Sequence, residues 1–204
     1  MNELALIFDS LDHMYKNGPF DGAAVAVPLL PWALLLSLGE DDLLRSLLFG
    51  KRKDLEQGRS YLVKERKPER ALAHFRRSIE RGARPLYVTR QHPNHVQKAH
   101  AGKEIRVIWL STTLGKDYVD PHNLNSLSTL ISNFVADGPH AAILLDGIEY
   151  LMTNNEFTRI VRFLQFVNEQ VAISRATLLL SLDERTFDPK ELALIERDMV
   201  VLEQ

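Results

Sequence analysis

A carboxylate at the end of an apolar strand is the residue best suited to chemistry in this sequence. In AAILLDGIEYL, residues 141–151, an apolar run leads directly into Asp146 and Gly147. Strands of this kind in nucleotide-hydrolysing proteins deliver an aspartate to Mg²⁺ at the carboxyl edge of a sheet. Asp146 is therefore the candidate for a vestigial nucleotide site. The alternative is a strand-end carboxylate bonded to backbone N–H groups of its own Asp-Gly turn.

The sequence does not contain a loop able to hold a triphosphate. Such a loop needs glycines, so that backbone N–H groups can surround the phosphates, and then a lysine and a Ser or Thr. No glycine lies between Ser60 and Arg81, and the three Gly-Lys pairs of the chain are followed by Arg, Glu and Asp. Glu149 also stands three residues beyond Asp146 rather than beside it. We therefore expect no hydrolysis, no enzyme and no cofactor, with residual nucleotide binding as the alternative.

Metal and nucleophile chemistry has no better support in the sequence. The chain has no cysteine, which excludes a disulfide framework, a thiolate zinc site and a thiol nucleophile. His92 and His95 are separated by two residues, but no carboxylate lies in their segment, and Pro93 indicates a loop. We expect no metal ligands.

Positive charge is concentrated in one segment. Residues 51–90 contain 13 basic and 5 acidic residues, a net charge of +8, although the whole chain carries −2. The candidate partner-binding residues are the basic ones near the first two predicted strands and the helix between them: Arg66, Lys67, Arg70, Arg76, Arg77, Arg81, Arg84 and Arg90. Because arginine clamps phosphate well, this segment predicts a surface for RNA or a ribonucleoprotein, without specific DNA recognition. The alternatives are a solvated helix face and an acidic protein partner.

The first 50 residues differ from the rest in containing a long uncharged, apolar stretch. Residues 22–38 carry no charge but are interrupted by Pro28 and Pro31. A membrane span needs about 20 residues, and two central prolines disfavour a continuous helix, so we do not expect an anchor. An apolar segment rich in Leu and Trp instead suggests a homodimer contact, with packing on the chain's own α/β domain as the alternative. The candidate dimerisation residues are Leu29, Leu30, Trp32, Leu35, Leu36, Leu47, Leu48 and Phe49.

Strands and helices alternate from residue 60 onward. Five runs are typical of strands, namely SYLV (60–63), PLYVTR (85–90), IRVIWLS (105–111), AAILLD (141–146) and ATLLLSL (176–182). Helices are predicted from Pro68 to Gly82, from Asp120-Pro121 to Gly138-Pro139, after a capping box at 153–156, and after a second capping box at 188–191.

These strands are nearly continuous apolar runs, which is expected when helices cover both faces of a sheet. The fold class is therefore α/β, a doubly wound and mainly parallel five-stranded sheet with an α-helical N-terminal appendage. The predicted organisation is an apolar segment at 1–50, a linker at 51–59 and an α/β domain at 60–204.

Several motifs occur in an order that resembles a known family. They are SYLV, ARPLYVTRQHP, VIWLSTT, DPHNLNSL, ILLDGIEYLMTNNEF and LSLDERTFDPKELALIER. Together they resemble the mainly archaeal family called domain of unknown function 835, over about residues 58–202. The resemblance implies a degenerate relative of RecA-type ATPases, often with an N-terminal hydrophobic or sensory appendage. It implies a regulatory setting and supplies no catalytic residues.

These observations predict a non-catalytic regulatory protein of the cytoplasm, since the N-terminus also lacks the basic residues of a secretory signal. We expect a homodimer that docks through its basic surface to a large partner, with ribosomal subunits as the most concrete candidate. Two alternatives come from other classes, a vestigial nucleotide-binding switch and a membrane-tethered signalling module.

Overall fold

The computed structural model describes residues 55–100, 102 and 104–203. These residues belong to the compact unit Asp54–Gln204. The predicted N-terminal helix, the apolar stretch at 22–38 and all eight candidate dimerisation residues lie outside the described residues.

A parallel sheet of seven strands forms the centre of this unit. In chain order the strands are β1 (Arg59–Lys64), β2 (Arg84–Thr89), β3 (Arg106–Leu110), β4 (Tyr118–Val119), β5 (Ala141–Asp146), β6 (Thr177–Leu182) and β7 (Val200–Val201). Their order across the sheet is β4-β3-β2-β5-β6-β1-β7. The five predicted strands are confirmed, but the predicted count of five is wrong. The two additional strands are two-residue edge strands, too short to leave a periodic pattern in the sequence.

Six α-helices connect the strands in the described part of the chain. They are α1 (Glu69–Glu80), α2 (Pro93–Ala99), α3 (Leu124–Ala136), α4 (Ile148–Thr153), α5 (Phe157–Ser174) and α6 (Pro189–Glu196).

The predicted bounds hold for α1 and for α6, where Asp188 and Glu191 form the expected capping box. Three local predictions are wrong. The segment after His92 is a helix rather than a loop, because Pro93 occupies its first turn. The third helix begins after an Asn123 cap instead of at residues 120–121. No capping box forms at 153–156, since α4 ends at Thr153 and α5 begins after Glu156.

The helices divide between the two faces of the sheet, as a doubly wound fold requires. Ala71 and Phe75 of α1 and Val96 of α2 pack on one face. Helices α3 to α6 pack on the other, with Ile131 and Ile160 among their buried residues. The neighbouring strands β1 and β6 are followed by helices on opposite faces of the sheet, and so are the neighbouring strands β2 and β5. A crevice therefore opens at the carboxyl edge between the two strands of each pair. Ligands of open parallel sheets bind at such points.

Candidate functional site at the carboxyl edge of the sheet

Polar and aromatic side chains form a row across the carboxyl edge, on the face that α1 and α2 cover. The strand register places Ser181 of β6 beside Asp146 of β5. It likewise places Thr89 of β2 beside Trp109 of β3, and Trp109 beside Tyr118 of β4. Alternation along each strand directs these side chains to one face. The row lies where a nucleotide would bind in a sheet of this kind.

Asp146 is the central carboxylate of this row. Its Oδ2 accepts hydrogen bonds from the Tyr87 hydroxyl at 3.1 Å and the Thr89 hydroxyl at 3.2 Å. Burial raises the pKa of Asp146, the two hydroxyls oppose that rise, and the nearby carboxylates of Glu149 and Glu65 add to it. The sequence correctly predicted a hydrogen-bonded carboxylate at the end of the strand, but the predicted partners were wrong. Asp146 accepts from the hydroxyls of Tyr87 and Thr89 in β2 rather than from backbone N–H groups of its own turn.

Glu65, the residue after β1, caps the N-terminus of α1. Its Oε2 accepts the backbone N–H of Arg70 at 2.8 Å, and its Oε1 accepts that of Ala71 at 2.9 Å. The Ser181 hydroxyl donates a further bond to Oε1 at 3.2 Å. The first N–H groups of a helix lack partners within it and attract negative charge, which is why phosphates bind there. Here the protein's own carboxylate occupies that position.

Other charges of this edge are also paired within the fold. Glu149 accepts the backbone N–H of Asp183 at 2.8 Å and so joins α4 to the end of β6. The Arg185 guanidinium bonded to Asp183 holds the pKa of that carboxyl at about 2. Lys64 forms an ion pair with Glu196 of α6. These charges stabilise the loops that surround the row.

Two of the eight predicted basic residues are built into the fold. Arg70 donates to the carbonyl oxygens of Leu202 at 2.9 Å and Glu203 at 2.8 Å, which holds the end of the described chain against α1. Arg84 donates to the carbonyl oxygens of residues 134, 138 and 139 at the end of α3. Its guanidinium also lies 4.8 Å from the centre of the Phe134 ring. Arg70 therefore holds the C-terminal end of the described chain in place, and Arg84 binds the carbonyl oxygens at the end of α3.

The structure distributes the other six over different parts of the surface. Arg66 and Lys67 are exposed in the loop at the carboxyl edge, and Arg76 is exposed partway along α1. Arg77 is half-buried beside it, whereas Arg81 lies at the opposite end of the helix. Since α1 has 12 residues, that end is about 18 Å from the carboxyl edge. Within the described residues no ion pair is formed by Arg66, Lys67, Arg76 or Arg77, but Arg66 lies close enough to Asp183 to contribute to the lowered pKa of that carboxyl.

Arg90, the remaining predicted basic residue, belongs to an aromatic cluster that sequence reasoning missed. Its guanidinium lies 4.1 Å from the centre of the Tyr150 ring. Its carbonyl oxygen accepts the indole N–H of Trp109 at 2.9 Å. The Trp109 ring meets those of His92 and Tyr118 edge to face, at 4.8 and 4.9 Å. Only the alternation within β3, which puts Trp109 on the face of α2, pointed to this cluster.

The two histidines of the HPNH stretch take structural positions. His92 caps α2, because its Nδ1 accepts the backbone N–H of Asn94 at 3.2 Å. Its ring centre lies 6.1 Å from that of His95. Over residues 55–100, 102 and 104–203, no three His, Asp or Glu side chains converge as a metal site requires. Within the same residues, each helix is too short or too polar to cross a bilayer.

The strand order and the parallel sheet define an open α/β domain with helices on both faces. A KaiC-like protein from the hyperthermophilic archaeon Pyrococcus horikoshii OT3 shares this fold, with a TM-score of 0.52 over 72% of this chain and 74% of that chain, at 14% sequence identity. The profile of the family described as "Protein of unknown function (DUF835)" matches residues 64–199, so the chain belongs to that family, as the motifs predicted. No curated protein matches the chain.

Proposed function

We propose that this protein is a non-catalytic binding protein, a RecA-like domain whose phosphate position has been taken over by its own Glu65. The observation that carries the proposal is the pair of hydrogen bonds from the N-terminus of α1 to that carboxylate, 2.8 and 2.9 Å long. A triphosphate seated there would meet a negative charge instead of N–H donors, and the sequence has neither glycines in this loop nor a Gly-Lys-Ser/Thr motif to compensate.

The partner we propose is anionic. Arg66, Lys67, Arg76 and Arg77, which are exposed or half-buried, form the basic surface of this proposal, and none of them makes an ion pair with a described residue, although Arg66 also interacts with Asp183. Exposed cations of this kind favour a phosphate backbone, because each contact releases counterions from the nucleic acid. A ribonucleoprotein fits this surface, and the ribosomal subunit is the most concrete candidate. In this proposal the protein acts as a homodimer in the cytoplasm and blocks or bridges subunits.

The first experiment captures the full chain from native lysate at low and high salt, with and without ribonuclease. We expect ribosomal subunits at low salt alone, and no subunits after ribonuclease treatment. Recovery that is insensitive to both salt and ribonuclease would contradict a phosphate-backbone contact and would indicate a protein partner instead.

A matched pair of variants locates the contact. Replacement of Arg66, Lys67, Arg76 and Arg77 by Gln removes four charges from the basic surface. Replacement of four scattered exposed cations by Gln removes the same charge elsewhere: Lys98, Lys116, Arg175 and Lys190. The first variant should bind RNA roughly 100-fold more weakly and lower the log–log salt slope by about 3, since each phosphate contact contributes just under one unit. Equal losses in both variants would mean that net charge alone governs binding.

Calorimetry with Mg-ATP tests the alternative of a vestigial nucleotide switch. We expect no binding. Micromolar affinity that disappears in Asp146→Ala would overturn the proposal in favour of the switch. A full chain that needs detergent to stay in solution would favour the membrane-tethered module.

A further inference from the structure

Helix α5 presents apolar side chains to solvent along its outer face. Phe166 is 38% exposed and Ile173 is 79% exposed, seven residues apart, or about two helical turns. The opposite face of the same helix is buried on the sheet through Ile160, Leu164 and Val171. Large apolar side chains spaced along one outward face are typical of a surface that another helix covers.

Opposite charges lie toward the two ends of this face. Arg159 and Arg162 lie in the first two turns of α5, and Glu169 lies toward the other end. The ends of the helix carry charges that suit its dipole, since Glu156 is the N-cap residue and Arg175 the C-cap residue. A second helix running antiparallel places the basic part of one copy beside the acidic part of the other.

The face is self-complementary about a point between residues 165 and 166. An antiparallel copy centred there places Arg162 opposite Glu169 twice, once on each side of the axis. The two Phe166 side chains then meet at the centre, and Thr158 lies opposite Ile173. All of these residues except half-buried Gln165 are exposed. A two-fold interface requires this kind of self-match, in which residue i contacts j and j contacts i.

We infer that α5 is a homodimerisation surface whose partner is the antiparallel α5 of a second copy, centred at residues 165–166. This inference rests on the homodimer within the proposed function and deepens it by naming the surface. It does not depend on the basic surface or on RNA. One helix pair buries less area than a standard interface of about 1,600 Å², so this contact sets the geometry of a dimer to which other segments contribute.

Single cysteines test the geometry, because the native chain has none. In the full chain, Phe166→Cys places one thiol beside its symmetry mate, because residue 166 lies at the centre of the pairing and on the exposed face. Helices pack with axes about 8–10 Å apart, which brings the Cα atoms of facing residues near the range of about 4.4–6.8 Å that a disulfide needs. Thr158→Cys is the control on the same face, because its two thiols would lie 15 residues apart along the helix pair, about 22 Å.

Under a mild oxidant, Phe166→Cys should form a covalent dimer at least tenfold faster than Thr158→Cys. A mixture of Thr158→Cys and Ile173→Cys chains should form the heterodimer in preference to either homodimer. Equal crosslinking of Phe166→Cys and Thr158→Cys would overturn the proposed pairing, since random collision or a dimer held elsewhere predicts that result.

A charge swap provides a test without cysteine. We expect Arg162→Glu alone and Glu169→Arg alone each to raise the dimer dissociation constant roughly tenfold, because each creates two like-charge contacts. The double variant restores opposite charges and should return to within about threefold of the native constant. Analytical ultracentrifugation of the full chains measures all four. Additive losses in the double variant would refute the pairing.

The outcomes separate this inference from the proposed function. A dimer whose cysteine variants do not crosslink selectively at residue 166, and whose dissociation constant does not respond to the charge swap, overturns the α5 surface but leaves the homodimer intact. A chain that is monomeric at all concentrations overturns both statements on self-association, while the RNA experiments still decide the basic surface.

Discussion

Glu65→Ala is the substitution that most directly tests how the carboxyl edge is held together. It removes the acceptor of two backbone N–H groups and of the Ser181 hydroxyl. Loss of a side-chain cap costs about 1 kcal/mol, up to about 2, and hydrogen bonds to charged groups lie toward the upper end. We therefore expect the free energy of unfolding to fall by about 2 kcal/mol. For a domain of this size that corresponds to a fall in Tm of about 4–8 °C.

Glu69→Ala is the matched control for the same helix end. Glu69 is exposed in the first turn of α1 and carries the same charge. Its interaction with the helix dipole alone is worth about 0.3–1 kcal/mol. Glu65→Gln should lie between the two, because an amide keeps one acceptor but loses the charge.

Thermal unfolding in phosphate buffer and in a phosphate-free buffer of equal ionic strength measures the second consequence. Without Glu65, the N–H groups of Arg70 and Ala71 lack an acceptor, so added phosphate should raise the Tm of Glu65→Ala more than that of the native protein. The reasoning is refuted if Glu65→Ala and Glu69→Ala lower the Tm equally and phosphate distinguishes neither from the native chain.

Three further substitutions test neighbouring contacts. Asp146→Asn should raise Tm at pH 7, because folding raises the pKa of Asp146 above 3.8 and ionisation of the buried carboxyl at neutral pH therefore costs stability. The gain in Tm over the native protein should shrink as the pH falls toward 3.8. A gain that is constant from about pH 4 to 8 would contradict this. Arg84→Met should lower the free energy of unfolding by about 2–3 kcal/mol in chemical denaturation, because three carbonyl oxygens at the end of α3 lose their donor, with no change in RNA affinity. Gly147→Ala should lower the free energy of unfolding by about 2 kcal/mol in the same assay, since Gly147 has φ +122° and an added Cβ would lie 3.3 Å from Leu110. Gly82→Ala is the control and should lower it less, because Gly82 has φ +85° but an added Cβ there would meet no neighbouring atom.

The sheet was predictable because its strands are continuous apolar runs bounded by clear turn signals. Val63, Ile143 and Leu180 are fully buried, as residues covered on both sides must be. The Asp188–Glu191 capping box was equally legible, since all of its contacts are local. The similar pattern at 153–156 failed because α4 extends through Thr153. A local motif predicts a capping box only where the first residue of the motif is not already part of a preceding helix.

The chemistry of the candidate site was harder to predict because it depends on contacts between distant segments. The sequence predicted Arg70 as one of eight partner-binding residues, but it could not show that Arg70 binds carbonyl oxygens 132 and 133 residues further along the chain. Glu65 gave no capping signal, because a cap is usually sought in the residue that directly precedes the helix. The Trp109 cluster joins side chains from three separate segments.

The carboxyl edge of a parallel sheet attracts ligands because the helices that follow the strands present N–H donors there. In this protein, acceptors within the chain already satisfy those donors at several places. Glu65 serves α1, the His92 ring serves α2, and Glu149 serves the turn after β6. What the edge can still offer a partner is the side-chain charge of residues such as Arg66 and Lys67. Binding through flexible cations is sensitive to salt and indifferent to the detailed geometry of one phosphate group. A polyanion would therefore bind there more readily than a single nucleotide, and in a competition experiment an excess of ATP should leave bound RNA in place.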